Sequence, residues 1–282
     1  APEPIAEVVL PDIPTCESMR SITMTHKFGD LYAWPGLTNQ WGCAQSAMCV
    51  TAVRSIAFPP YAQGEMNVAP AGANGELLTG VLFVDGEYFA ATKTPIEFVW
   101  QPDRVERRSL YKGLELKSVM IVPFESMVTA VKLTLTNRTK AVRKTEIKFA
   151  VNGGVSKSVT PWNAAYSPGE QDNTRTVDQG RSAILCRSVR TEAFVMQGSS
   201  PKPSSMTSSW LVYQFDLKPG ESRDIVFVNA LGGTQGEAAK HFDRVVNSFD
   251  TEAAAVRREW DRQLLAAFTP NNDVFSGHLP TL

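Results

Sequence analysis

Polar and apolar positions alternate with a period of two through most of the chain, and the period lengthens to that of a helix near the end. Leu114, Leu116, Ser118, Met120 and Val122 share one side of a run. Thr129, Val131, Leu133 and Leu135 share one side of the next, with Lys132, Thr134 and Thr136 opposite. Arg143, Thr145, Ile147, Phe149 and Val151 then alternate with Lys144, Glu146 and Lys148. Strands with one polar side belong to antiparallel sheets that are solvated or covered on that side. Val81–Val84 and Glu87–Ala90 flank Asp85-Gly86, a pair suited to the positive φ angles of a tight hairpin. Further strands are expected over 183–189, 192–197, 210–217 and 223–229, the last two joined by the turn Lys218-Pro219-Gly220-Glu221. The stretches 161–180 and 198–209, rich in Ser, Pro, Gly and Asn, read as loops.

No helical pattern separates these strands, so a parallel sheet with crossover helices is not expected. After Gly236, Ala238, Ala239, Phe242, Val245, Val246 and Phe249 fall at helical spacing. Asp250 is placed to cap a second helix with the stripe Ala253, Val256, Trp260, Leu264 and Phe268, ended by Thr269-Pro270. The expected fold is mainly β and antiparallel, closed by an α-helical pair.

Charge narrows the function. The 282 residues carry 28 Lys+Arg against 29 Asp+Glu, a net charge of -1. That balance argues against a protein built to neutralise a nucleic-acid backbone. No apolar run approaches the roughly 20 residues of a membrane-spanning helix, so neither a nucleic-acid nor a membrane partner is expected. Arg104–Arg108 reads as a mixed-charge strand with a solvated face.

Candidate chemistry is sparse. Cys16, Cys43, Cys49 and Cys186 form no C-x-x-C pair, and His26, His241 and His278 lie far from Cys43 and Cys49, so no metal site and no cofactor are expected. The cysteines read as small buried thiols, with Cys43 and Cys49 unable to bridge if one straight strand holds both. His241 reads as a helix-surface residue, and His26 and His278 as loop residues. The sequon Asn137-Arg138-Thr139 is a weak signal. Glycoside hydrolysis needs two carboxyl groups across the scissile bond, but Glu115, Glu146, Glu221 and Asp224 sit on polar faces or in turns, and Asp85 reads as a turn residue. Aromatics point more clearly to sugar, because pyranose C–H faces stack on aromatic rings while hydroxyls take polar partners. Tyr32, Trp34 and Trp41 stand among Asp, Asn and Gln in one segment, and Trp162, Asn163 and Tyr166 form a second cluster. Both are candidate carbohydrate contacts, with edge packing or docking on another domain as the alternative.

The β region with V-D-G, L-T-L-T-N-R-T and F-D-L-K-P-G-E-S, followed by R-R-E-W-D-R-Q-L-L-A-A-F-T-P, resembles the N-terminal supersandwich domain and linker of glucoamylase-type hydrolases and of maltose and cellobiose phosphorylases. The resemblance implies a galactose mutarotase-like supersandwich over 21–235, an irregular leader over 1–20, a helical linker over 236–270, and a tail over 271–282 leading to an (α/α)6 catalytic domain. The catalytic carboxylates would then lie outside this chain. Trp260 and Phe268 would pack between the domains, and the partners would be that barrel, in the same or a companion chain, and a carbohydrate substrate. Two alternatives remain: a free-standing aldose 1-epimerase, whose family places its histidines in the β region, and a lectin-like binding module. The chain starts without Met and is expected to be a processed or divided part of a longer protein; periplasmic or secreted placement is favoured over cytoplasmic.

Overall fold

The computed structural model describes residues 13–26, 36–47, 49–64, 79–151, 154–158 and 173–268. All strand pairs among them are antiparallel. A nine-stranded sheet runs in the order β1 (Ser21–His26), β8 (Ile96–Gln101), β9 (Arg104–Tyr111), β10 (Leu114–Ile121), β11 (Val128–Asn137), β19 (Ser222–Gly232), β16 (Phe194–Ser200), β15 (Ala183–Ser188) and β14 (Asn173–Asp178). A five-stranded sheet is ordered β17 (Ser205–Met206), β18 (Trp210–Leu217), β12 (Arg143–Ala150), β6 (Val81–Val84), β7 (Glu87–Tyr88). A second is ordered β13 (Val155–Lys157), β5 (Tyr61–Gly64), β4 (Val53–Phe58), β3 (Gly42–Ser46), β2 (Gly36–Asn39). Two helices follow, α1 (Gln235–Val246) and α2 (Phe249–Phe268).

The period-two pattern explains the layers. On β11, Leu133 and Leu135 face the first small sheet together with Ile147, Phe149 and Tyr213. Val131, on the same side of β11, packs in a second core with Ile56, Phe58 and Leu37 of the other small sheet. Ala130 and Val128 point the opposite way and are covered by Ala238, Phe242 and Val245 of α1. The large sheet is therefore buried on both sides over β11, β19 and β16, with both small sheets against one face and α1 on the other. Lys132 and Thr134 lie on the helix-side face, beyond the area that α1 covers, and stay part exposed.

Local chemistry sets the turns. Asp85 and Gly86 adopt φ 52 and 81, the left-handed pair that the hairpin requires. Asp85 does more than turn the chain, since its carboxylate accepts from Thr145 Oγ1, from Glu146 N and from Arg143. Thr234 caps α1 by accepting from Glu237 N at 3.1 Å, and Glu237 reaches back to Gly233 N at 2.8 Å.

Several expectations are corrected. Asp250 lies inside the first turn of α2, because Glu252 N already donates to Ser248 O, four residues back. The stretches read as loops contain β14, the end of β16 and β17; their polar residues misled because strands at the rim of a sheet need little apolar surface. His26 ends β1. Cys43 is exposed, whereas Cys16, Cys49 and Cys186 are buried, and Cys49 lies beyond β3 rather than on it. Arg107 is fully buried, not solvated, and Glu115 is only 9% exposed. Asn137 is buried too, donating to Ala141 O and Leu217 O and accepting from Thr139, so the sequon is a turn lock.

Candidate functional site at the helical end

At one end of the sandwich the β8–β9 and β10–β11 connections meet α2, and the β2–β3 turn is tied to the second of them. Asn39 ties two of them. Its Nδ2 donates to Pro123 O at 2.6 Å and to Ser126 O at 3.1 Å, while its Oδ1 accepts from Trp41 N and Gly42 N. This bonding holds the Trp41 turn to the loop that carries Phe124. The Phe124 ring meets Trp260 of α2 edge-on at 5.7 Å. Trp41 itself is 46% exposed.

A buried carboxylate fixes the helix. Asp103, with its side chain wholly enclosed, accepts from Arg104 Nε at 2.7 Å and from Arg257 Nε at 2.8 Å. Arg257 also donates to Gln101 Oε1, and Gln101 donates to Glu17 Oε2. Cys16 N donates to Asp261 Oδ1 at 3.0 Å. Cys16 and Glu17 thus tie segment 13–20 to α2 and to the Gln101–Asp103 turn. Burial, the Asp261 hydrogen bond and the charges of Asp103 and Asp261 push the Cys16 thiol up to about 12, so it stays protonated and unreactive. Past this clasp Leu264 is buried, Leu265 is 49% exposed and Phe268 is half-buried.

Of the residues singled out in the sequence, Trp41 and Trp260 are brought to the same end, linked through Asn39 and Phe124. Phe268 closes α2. Tyr32, Trp34, Trp162, Asn163, Tyr166 and His278 lie outside the described residues, as do 1–12 and 269–282. His241 is half-buried on α1, with Nδ1 2.9 Å from Leu231 O, and His26 stands on the edge strand β1 of the large sheet.

Two buried polar groups went unread in the sequence. One crosses the large sheet, where Thr129, Asn229 and Gln197 stand in register on β11, β19 and β16. Gln197 Nε2 donates to Asn229 Oδ1 at 2.9 Å and to Thr79 Oγ1 at 2.7 Å. The polar signal was visible, but sequence cannot show that the three align. The other is Arg107, whose Nη1 donates to the carbonyls of Ala47, Cys49 and Ala52 and whose Nε donates to Ser118 Oγ. Parity with Val105 and Tyr111 was its available signal.

The arrangement offers little acid–base chemistry. A glycosidic general acid must keep its proton near neutral pH. Burial pushes the Glu115 carboxyl up, but hydrogen bonds and charge from Arg138 and Arg108 outweigh this and hold it below the usual value. Asp103 is an acceptor between two arginines. Among the described residues no group of three His, Cys, Asp or Glu is arranged to hold a metal, and no helix is long and apolar enough to cross a membrane.

No protein-family model matches the chain, and no curated protein sequence does. Solved structures do. One is assigned as a kojibiose phosphorylase from the human microbiome, at 9% identity and TM-score 0.43, covering 81% of this chain and 35% of that one. A bacterial glucoamylase in complex with acarbose is 9% identical with TM-score 0.46, covering 86% of this chain and 40% of that one. A protein assigned as an aldose 1-epimerase from Escherichia coli K12 is 7% identical with TM-score 0.49, covering 71% of this chain and 99% of that one. This chain thus spans about a third of the phosphorylase, two fifths of the glucoamylase, and the whole of the epimerase.

Proposed function

We propose that the chain is a non-catalytic β-sandwich module of a carbohydrate-active enzyme, a glycoside hydrolase or phosphorylase, that packs on and shapes an (α/α)6 catalytic domain. In this reading residues 21–235 form the module, 236–270 link it, and 271–282 lead into the catalytic domain. The observation that carries it is the anchoring of α2. A flexible tether needs no buried carboxylate, yet Asp103 and Asp261 pin this helix to two other segments. The pinned helix keeps exposed Leu265 and half-buried Phe268 beyond the clasp. A helix held so firmly sets the direction of whatever follows it, and the apolar residues at its end offer area to bury, each worth roughly 1.5–3 kcal/mol when fully covered.

The test has two parts. The reading frame after Leu282 should continue through several hundred residues of paired amphipathic helices; a stop codon directly after Leu282 overturns the module reading. The purified chain should leave aryl glycosides intact and should not speed the mutarotation of fresh α-galactose in a polarimeter. Acceleration that His241→Ala abolishes would replace the module by an epimerase.

A further inference from the structure

We infer a binding site for one enclosed water molecule, which bridges the second small sheet to the large one. It lies on the inward face of the large sheet, where the core of Leu133 and Phe227 gives way to the core of Val131 and Leu231. Thr129 on β11, Asn229 on β19 and Gln197 on β16 stand side by side there. Residues so paired carry Cβ atoms roughly 4.5–5.5 Å apart. Gln63 on β5 meets this row from the second small sheet, with Nε2 3.5 Å from Asn229 Oδ1. Thr129 and Asn229 are 0% exposed and Gln63 is 1% exposed.

Three atoms of this group have no hydrogen-bond partner among the described residues: Thr129 Oγ1, Asn229 Nδ2 and Gln63 Oε1. Asn229 Oδ1 accepts from Gln197 Nε2 at 2.9 Å, which turns its Nδ2 away from β16. Gln197 Nε2 also donates to Thr79 Oγ1 at 2.7 Å, so the row is held at that side. Turning all three amides over keeps their mutual bonds but exchanges donor for acceptor. One atom of Asn229 and one of Gln63 stay unpaired either way. A ligand that serves both must donate and accept. Water does so, and three partners match the roughly three bonds usual for a buried water. It accepts from Asn229 Nδ2, donates to Gln63 Oε1 and takes Thr129 Oγ1 as its third partner. The 3.5 Å contact is long beside a usual value of about 2.9–3.0 Å, so β5 stands off the row and leaves room. Val131, Phe227 and Leu231 close the surroundings with apolar surface, which keeps the ligand small. The polar side chains of the group are all uncharged, which gives an ion no counter-charge.

A high-resolution crystal structure of the full chain should show solvent density within roughly 2.7–3.2 Å of Asn229 Nδ2, Gln63 Oε1 and Thr129 Oγ1. Absence of that density overturns the site, as does a rearrangement in which the three atoms bond to protein groups instead. In solution Thr129→Val puts the same question, because it replaces one hydroxyl by a methyl and keeps a β-branched strand residue. If water bonds to the hydroxyl, its loss lowers the folding equilibrium constant in urea unfolding about two- to tenfold, the worth of one hydrogen bond. If the hydroxyl is unpaired, valine relieves its burial, so a variant as stable as the parent or more stable overturns the water. Neither measurement bears on the reading frame after Leu282, so this inference and the module reading fail separately.

Discussion

Arg107 and Glu115 stand on paired neighbouring strands and are held in opposite ways: one is a buried cation held by neutral oxygens, the other a carboxylate held by two cations. Ala47, Cys49 and Ala52 turn their carbonyls to Arg107, and one nitrogen serves all three. Burial lowers the hold of this guanidinium on its proton, with partial compensation from Cys49. Replacing it by Met relieves that desolvation but strands the carbonyls. The net cost should be about 2–4 kcal/mol in urea unfolding, with Arg107→Lys losing less because an ammonium still donates. Glu115 gives a pH signature. Its folded pKa is depressed, so its contribution is complete above the unfolded value of about 4.3 and is lost as pH falls through the folded one. Glu115→Gln should flatten the acid side of the melting-temperature profile and lower the melting temperature at neutral pH.

At the scale of elements, α1 and α2 are held by different means. α1 is stitched to the sheet by Ala238, Phe242 and Val245 and by its cap. Thr234→Ala should cost about 1 kcal/mol, read as a loss of thermal stability. α2 has a mixed surface: the Asp103–Arg257 pair and the Asp261 bond to Cys16 N hold it beside the buried Phe249, Ala253, Val256 and Leu264. Breaking a fully buried pair costs about 3–5 kcal/mol, but Arg257 keeps 26% of its side chain in water, so Asp103→Asn should cost nearer ~2 kcal/mol. Hydrogen exchange should then accelerate across α2 while α1 stays protected. Equal acceleration in both helices would show that the pair holds the fold generally and does not aim α2.

At the scale of the molecule, one sheet serves every core. β11 gives Leu133 and Leu135 to one, Val131 to the second and Ala130 to the third. No small sheet can leave without exposing a strand that the others need. Urea unfolding followed by tryptophan fluorescence and by far-ultraviolet circular dichroism should therefore give coincident curves. The shared sheet also gathers the turns at one end, where Trp41, Phe124, Trp260 and the Asp103 clasp come together from segments more than 200 residues apart in sequence.

The sequence by itself determined the strands over 81–84, 114–121, 128–137, 143–150, 210–217 and 222–232 and the two helices, because a period of two or of 3.6 is a local property that one face of burial imposes. Leu114 to Val122 and Thr129 to Leu135 were readable in this way, and so was the Asp85-Gly86 turn. Only the tertiary structure decided the partners. Whether Arg107 meets water or carbonyls, whether Glu115 is solvated or clamped, and whether Trp41 and Trp260 share an end depend on strand order and register, which pair residues distant along the chain. Alternation says that a side chain points inward; only the packed sheets say what it finds there.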